Sequence, residues 1–358
     1  MKKLVIIQTA TPDYRAGFFN VLQEKLDANF ELYSGDTYYE ASVKSDPYIP
    51  SKKINNHYLI KRKFLFQTGI WHLLFKDVLL VIELNPRTIS NWILLLIRKI
   101  IGLKTVVWGH AWPRKGKDSK SDALRSQMRK LATAIVVYTN KQKTELQDLM
   151  PNKKIFAAPN SLFKCEEMSP DATIDLPYNL IYVGRLTIQK KPFFLAKAFA
   201  NSLPYLPEKT NLYLVGEGEE KKKIEDYIQE NKLEERIFLM GHISNYEKLK
   251  TLYSKALFSV SPGYVGLSIT QSFGFGVPIL VSENEDHSPE IEAVRLGENA
   301  LYYKTDDLES FSNILKQIFK DQEEWINKSP SISAFCKENY SVEAMAQVFI
   351  NLANQYGK

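Results

Sequence analysis

The chain has 358 residues, 44% of them hydrophobic and 25% charged, the mix of a soluble globular protein and a length that suggests two domains. Disorder as the main state, a collagen-like chain and a disulfide-stapled fold are excluded. The two cysteines, Cys165 and Cys336, are far apart in no metal or C-x-x-C spacing, which fits a reducing, cytoplasmic compartment. The net charge of +6 conceals an asymmetry: residues 1–150 hold 24 Lys+Arg against 13 Asp+Glu, and the remainder holds 23 against 28. The basic excess lies between Lys52 and Lys130. Such a surface suits nucleic acid, anionic lipid headgroups or phosphorylated substrates, and equally a merely solvated lysine face.

No secretory leader is expected, because the apolar run after Met1-Lys2-Lys3 spans only residues 4–7. Residues 88–97 are uncharged but fall short of the about 20 apolar residues that cross a bilayer. Residues 256–282 are uncharged as well, yet Pro262, Pro278 and four glycines rule out one apolar helix. No transmembrane segment is expected.

Taken in chain order, residues 4–8 read as a strand, 17–26 as a helix and 30–33 as a strand. Then come a strand at 78–83, a helix at 88–101, a strand at 105–108, a helix at 122–131, a strand at 134–138 and a helix at 140–149. Residues 153–159 form a strand or loop, and the aperiodic stretch 161–175 reads as a linker. A second series alternates strands at 180–183, 212–215 and 237–239 with helices at 192–200, 221–229 and 246–254. Strands at 257–260, 279–281 and 300–303 and helices at 310–320 and 341–355 complete it. Strands alternating with helices imply βαβ units, so the expected class is α/β, with two Rossmann-like doubly wound domains. The first domain is expected over 1–163 and the second over 164–340, with the terminal helix 341–358 packing back on the first. Ligands in such folds sit at the carboxyl ends of strands, here in an interdomain cleft.

Three places in the second series run from a strand straight into glycine. Tyr182-Val183-Gly184-Arg185-Leu186 is followed by Lys190 and Lys191, cations able to neutralise a diphosphate, or a routine basic helix start. Leu214-Val215-Gly216-Glu217-Gly218 holds a lone G-x-G, weak evidence for phosphate binding and better explained as a tight turn. The third runs from Ser261 to Pro278, where a glycine loop leads to a helix starting near Leu267. Free N–H groups at a helix start favour an anion, Gly266 permits close approach, and Gln271 lies about one turn on. Core packing between strands explains the lack of charge equally well.

Together, G-R-L-x-x-x-K, L-x-x-A-F, L-x-x-V-G-x-G, F-x-x-G-x-I and G-L-S-x-x-x-S-x-x-x-G-x-P resemble the donor domain of retaining GT-B glycosyltransferases of family GT4. The resemblance covers residues 178–303. It extends loosely to the first domain through P-x-Y-R-x-x-F-F-x-x-L at 12–22 and W-G-H at 108–110. It implies a nucleotide diphosphate sugar held mainly by the second domain. Arg185 and Lys190 would contact the diphosphate, beside Gly184, and Lys191 stands where the family usually has glycine. The N–H groups of Gly266, Leu267 and Ser268 would hold the distal phosphate, and Gly241, His242 and Ile243 would border the base. His110 would approach the sugar from the first domain. The family's two glutamates, eight positions apart, are here Gly263 and Gln271. Gln271 can still hydrogen-bond ribose hydroxyls, whereas Gly263 offers no side chain. The later His287-Ser288-Pro289-Glu290 is similar to a bacterial branch acting in surface polysaccharide synthesis.

The resemblance therefore implies transfer of a hexosyl group, with retention, from a UDP- or GDP-linked donor to a hydroxyl of a glycan or lipid-linked glycan. No D-x-D and no His/Asp cluster with plausible ligand spacing is present in the sequence, so neither a metal nor a separate cofactor is expected. Residues 61–66 and 112–117 interleave basic and aromatic side chains, which suits peripheral attachment at the inner face of the plasma membrane; a soluble acceptor fits the same face. Two rivals remain. One is a nucleotide-sugar epimerase on the same fold, which needs a base that Gly263 does not supply. The other is a basic nucleic-acid-binding protein, which lacks any recognisable binding signature.

Overall fold

The computed structural model describes residues 2–113, 116–170 and 176–356, in two compact units. One comprises Met1–Leu162 with Val342–Lys358, the other Phe163–Ser341. Arg114 and Lys115 of the second basic–aromatic stretch, residues 171–175 of the expected linker, and Gly357 and Lys358 lie outside the described residues.

The first unit is built on β1 (Leu4–Gln8), α1 (Ala16–Leu26), β2 (Phe30–Ser34) and β3 (Lys52–Lys53). A hairpin of β4 (Asn55–Leu59) and β5 (Phe64–Thr68) follows, then β6 (Leu79–Glu83) and α2 (Ile89–Ile100). The series ends with β7 (Thr105–Trp108), α3 (Asp122–Leu131), β8 (Ala134–Val137), α4 (Asn140–Leu149) and β9 (Lys154–Ala157). Among the described residues the main sheet is parallel, in the order β3-β2-β1-β6-β7-β8-β9. Leu4–Ile7 and Leu79–Ile82 are fully apolar and buried, the pattern of strands covered on both faces.

The antiparallel hairpin β4–β5 is absent from the strand series read above, and its tip explains why. Ile60, Lys61 and Arg62 all have positive φ, near 48°, 50° and 63°, in a turn without the Gly or Asn that usually marks one. Nor is the basic–aromatic stretch 61–66 one exposed surface. Leu65 is buried, and Arg62 lies 3.6 Å from the Tyr58 ring centroid and bonds inward to the carbonyls of Tyr38 and Tyr39.

The second unit starts with β10 (Asn179–Val183), α5 (Pro192–Ser202), β11 (Leu212–Val215), α6 (Lys221–Glu230) and β12 (Ile237–Gly241). It continues through α7 (Tyr246–Ser254), β13 (Ala256–Ser261), α8 (Ser268–Gly274), β14 (Ile279–Ser282) and β15 (Ala300–Tyr303). It closes with α9 (Leu308–Lys320) and α10 (Gln322–Tyr340). The sheet is parallel, in the order β12-β11-β10-β13-β14-β15. Strand order reverses between β10 and β13, which places the topological switch at their carboxyl ends. The uncharged stretch 256–282 is thus a buried strand, a loop, a short helix and a second buried strand. Helix α10 is missing from the sequence series because Pro330 lies inside it and no strong apolar stripe marks it.

The last helix, α11 (Val342–Gln355), belongs to the first unit. Its Phe349 ring packs 4.9 Å from Trp108 and 5.3 Å from Phe18, in one core with Met345 and Leu352.

Candidate active site

Both sides of the second unit's switch carry chemistry-bearing loops. Backbones meet closely there: Gly184 N–H donates to Val215 O at 3.0 Å and Gly216 N–H to Gly241 O at 2.8 Å. A Cβ on Gly216 would lie 1.9 Å from Gly184 O, and φ there is +151°, so only glycine fits. The G-x-G at 216–218 therefore lets separate backbone segments approach closely: a Cβ on Gly218 would likewise meet Leu186 O at 2.4 Å.

After β10 the chain forms the turn that presents Arg185 and Lys190. Arg185 is exposed, with its carbonyl held by the Tyr182 hydroxyl at 2.7 Å. Lys190 is half-buried, with Nζ 4.4 Å from the Tyr264 ring centroid. Burial, and then neighbouring Arg185, lower its pKa to about 8 against the opposing effect of Glu290. The ammonium is thus short of counter-charge, a condition an incoming diphosphate relieves. Lys191 adopts φ 53°, ψ 38°, the left-handed region that favours the glycine common at this position. Its ammonium is engaged by Glu285 at 2.6 Å and Asp306 at 2.7 Å, which sets it apart from Lys190.

After β13, Tyr264 N–H donates to Gln189 O at 3.1 Å, fastening this loop to the Lys190 turn. A Cβ on Gly263 would meet Gln189 O at 2.5 Å and Lys190 C at 2.9 Å. The missing glutamate therefore has a steric cause: the Lys190 turn occupies the space its stem would need. Gly266, Leu267 and Ser268 are half-buried where α8 begins, and the first N–H groups of a helix have no partner within it. Helix α8 has seven residues, so its dipole is modest. Gln271 is half-buried, one turn along α8. At the end of β12, Gly241 has φ +68°, His242 is exposed, and Ile243 packs against the core cluster that includes Val215 and Leu249.

The segment that the sequence marked as a motif without a role, residues 287–290, completes this edge. Ser288 N–H donates to Val265 O at 2.9 Å, and the Tyr264 and Ser288 hydroxyls lie 2.7 Å apart. Val265 N–H donates to His287 Nδ1 at 3.3 Å, and Nε2 lies 2.9 Å from Ser282 O. An acceptor at Nδ1 and a carbonyl at Nε2 define a neutral ring carrying its proton on Nε2. Burial, the largest cause, accordingly lowers the His287 pKa. Glu290 is buried in the same segment.

In the first unit, His110 follows β7 and is exposed, its ring centroid 4.7 Å from that of Tyr138. Arg125 fixes the turn by donating to His110 O at 2.9 Å and Leu84 O at 2.8 Å. The same carboxyl edge holds a carboxylate that the sequence reading missed. Glu83 accepts from Thr9 N–H and Thr9 Oγ1, each at 2.7 Å, across the β1/β6 switch. Burial raises its pKa against these hydrogen bonds. Buried Arg15 stacks 4.9 Å over Trp108 and donates to Asn160 at 2.9 Å. Among the described residues no group of three or more His, Cys, Asp or Glu could hold a metal ion, and no helix is long and apolar enough to cross a membrane.

Residues 166–331 match the family model described as "Glycosyl transferases group 1". The chain is 24% identical over 253 residues to the O-antigen biosynthesis glycosyltransferase WbnH of Escherichia coli, covering 69% of this chain and 70% of that protein. Among solved structures it resembles sucrose-phosphate synthase of Thermosynechococcus elongatus (TM-score 0.67, 18% identity, 99% of each chain). It also resembles Anabaena HepE in complex with UDP (TM-score 0.70, 13% identity, 99% of this chain and 100% of that one).

Proposed function

We propose that this chain, a glycosyltransferase of GT-B fold whose residues 166–331 match the group 1 glycosyltransferase model, moves a hexosyl group, with retention, from a nucleotide diphosphate sugar to a glycan hydroxyl in surface polysaccharide synthesis. The observation that carries the donor reading is the pairing of exposed Arg185 with half-buried Lys190 at the topological switch. UDP is the favoured donor nucleotide, because HepE of the same fold is described with UDP. WbnH, an O-antigen enzyme, supports a polysaccharide or lipid-linked acceptor.

In this reading Arg185 and Lys190 hold the diphosphate, and the N–H groups of Gly266, Leu267 and Ser268 meet the distal phosphate. As the glycosidic bond breaks, negative charge grows on the departing phosphate. Two cations and a helix start aimed there stabilise the transition state more than the ground state. They take the place of a divalent metal, so the reaction proceeds without one and without a separate cofactor. Gln271 hydrogen-bonds the ribose hydroxyls, with Gly184, Gly241, His242 and Ile243 bordering the nucleoside. His110, exposed after β7, is a further candidate for a catalytic role. The protein works in the cytoplasm, at the inner face of the plasma membrane when the acceptor is lipid-linked.

Proton NMR of the purified chain with UDP-glucose, UDP-galactose, UDP-N-acetylglucosamine and GDP-mannose, each with a lipid-linked glycan fraction, tests this. The expected result is UDP release dependent on acceptor, with an α-linked product from an α-linked donor. Epimerisation of a free nucleotide sugar, or no consumption of any donor, overturns it.

A further inference from the structure

The amino edge of the first unit's sheet, opposite the strand ends that carry Glu83 and His110, holds a cavity of about 280 Å³. Its lining includes Lys99, Lys104, Lys130 and Lys153 and no carboxylate. Lys153 is tied in place, donating to Lys130 O at 3.2 Å and Ala132 O at 2.7 Å. Burial and then the neighbouring Lys99 lower its pKa. Behind the cavity, buried Arg98 spends its guanidinium on the carbonyls of Lys76, Val78 and Lys104 and on the Thr105 hydroxyl. Asp77, the acidic group that acts on Arg98, is itself paired with Lys2.

Like charges gathered around a concave, partly buried space repel one another unless an anion enters. We propose that this lysine cavity is a binding site for a phosphate-type anion, separate from the donor site of the second unit. The cavity takes a phosphate or diphosphate, not a carboxylate side chain of this protein. Two sources share that chemistry: a soluble diphosphate and the headgroup of an anionic lipid. Ile100 and Ile101, at the end of α2 beside Lys99, are 82% and 45% exposed, which makes the lipid arm worth measuring.

The test is lysine acetylation read residue by residue by mass spectrometry, on the whole chain at low salt. It is run alone, with pyrophosphate, and with vesicles of phosphatidylcholine with or without phosphatidylglycerol. Exposed Lys25 is the control, and diphosphate bound near Lys190 is registered separately. The expected result is slowed acetylation of Lys99, Lys104, Lys130 and Lys153 with Lys25 unchanged. Protection by pyrophosphate identifies a soluble ligand; protection by phosphatidylglycerol vesicles alone identifies a headgroup. In the triple variant Lys99→Ala/Lys104→Ala/Lys130→Ala, whose replaced side chains are exposed, protection of Lys153 disappears. Vesicle partitioning, if headgroups are the source, falls about fivefold per lysine removed. Equal rates with and without both probes, or equal protection of Lys25, overturn the proposal.

Discussion

Gly263→Ala adds one methyl group, and the geometry states what that group would meet. It would sit 2.5 Å from Gln189 O and 2.9 Å from Lys190 C, both backbone atoms, where ordinary contact begins near 3.4 Å. The turn carrying Lys190 must therefore retreat by about 1 Å, weakening the Tyr264 N–H bond to Gln189 O. Overpacking of this kind costs about 1–3 kcal/mol. For a unit of this size that lowers the melting midpoint by about 3–9 °C. Moving Lys190 off its mark also loses a charge-assisted contact of about 1.5–3 kcal/mol, so UDP affinity drops roughly ten- to hundredfold. Differential scanning calorimetry and isothermal titration with UDP measure the two effects. Gly263→Glu, which restores the family's carboxylate, is expected to fare worse than Gly263→Ala. Wild-type stability and UDP affinity in Gly263→Ala would refute the steric account of the missing glutamate.

Other perturbations separate architecture from chemistry. Lys190 has its pKa lowered from 10.5 to about 8, so its burial penalty is full below pH 8 and is relieved as pH rises toward 10.5. Lys190→Met should therefore be more stable than wild type at pH 7, by about 1–2 kcal/mol after discounting for solvent screening. That gap should close at pH 10 in urea denaturation, while UDP binding is lost at both. His287, with its lowered pKa, supplies stability above its ordinary value that is lost as pH falls through the folded value. UDP affinity should weaken on acidification in the wild type and not in His287→Ala. Gly216→Ala forces a Cβ to 1.9 Å from Gly184 O and should unfold the second unit, seen as loss of its calorimetric transition. EDTA should leave the transfer rate unchanged.

The parts of the site legible in the sequence are those where neighbours in the chain are also neighbours in space. Tyr182–Arg185 announces itself because an apolar strand ends in glycine and arginine within one segment. The uncharged window from 256 to 282 is conspicuous for the same reason. What stayed hidden depends on pairing across the sheet. Nothing local says that Glu83, the last residue of an apolar strand, is gripped by Thr9, 74 positions away. Residues 287–290 stand out as a motif, but their purpose shows only when Ser288 and His287 are seen fastened to Val265. Gly263 reads in sequence as a lost carboxylate; the contact with Gln189 turns it into a required glycine. Lys191 reads as a second candidate cation, and its ion pairs with Glu285 and Asp306 remove it from that role.

The donor site is the central claim, and calorimetric titration with UDP, GDP, ADP and dTDP, on wild type and on Arg185→Ala, tests it most directly. One nucleotide diphosphate, expected to be UDP, should bind the wild type with or without magnesium, and Arg185→Ala should lose it. No binding by any of the four, or equal binding by wild type and Arg185→Ala, would contradict a donor diphosphate held at the switch between β10 and β13.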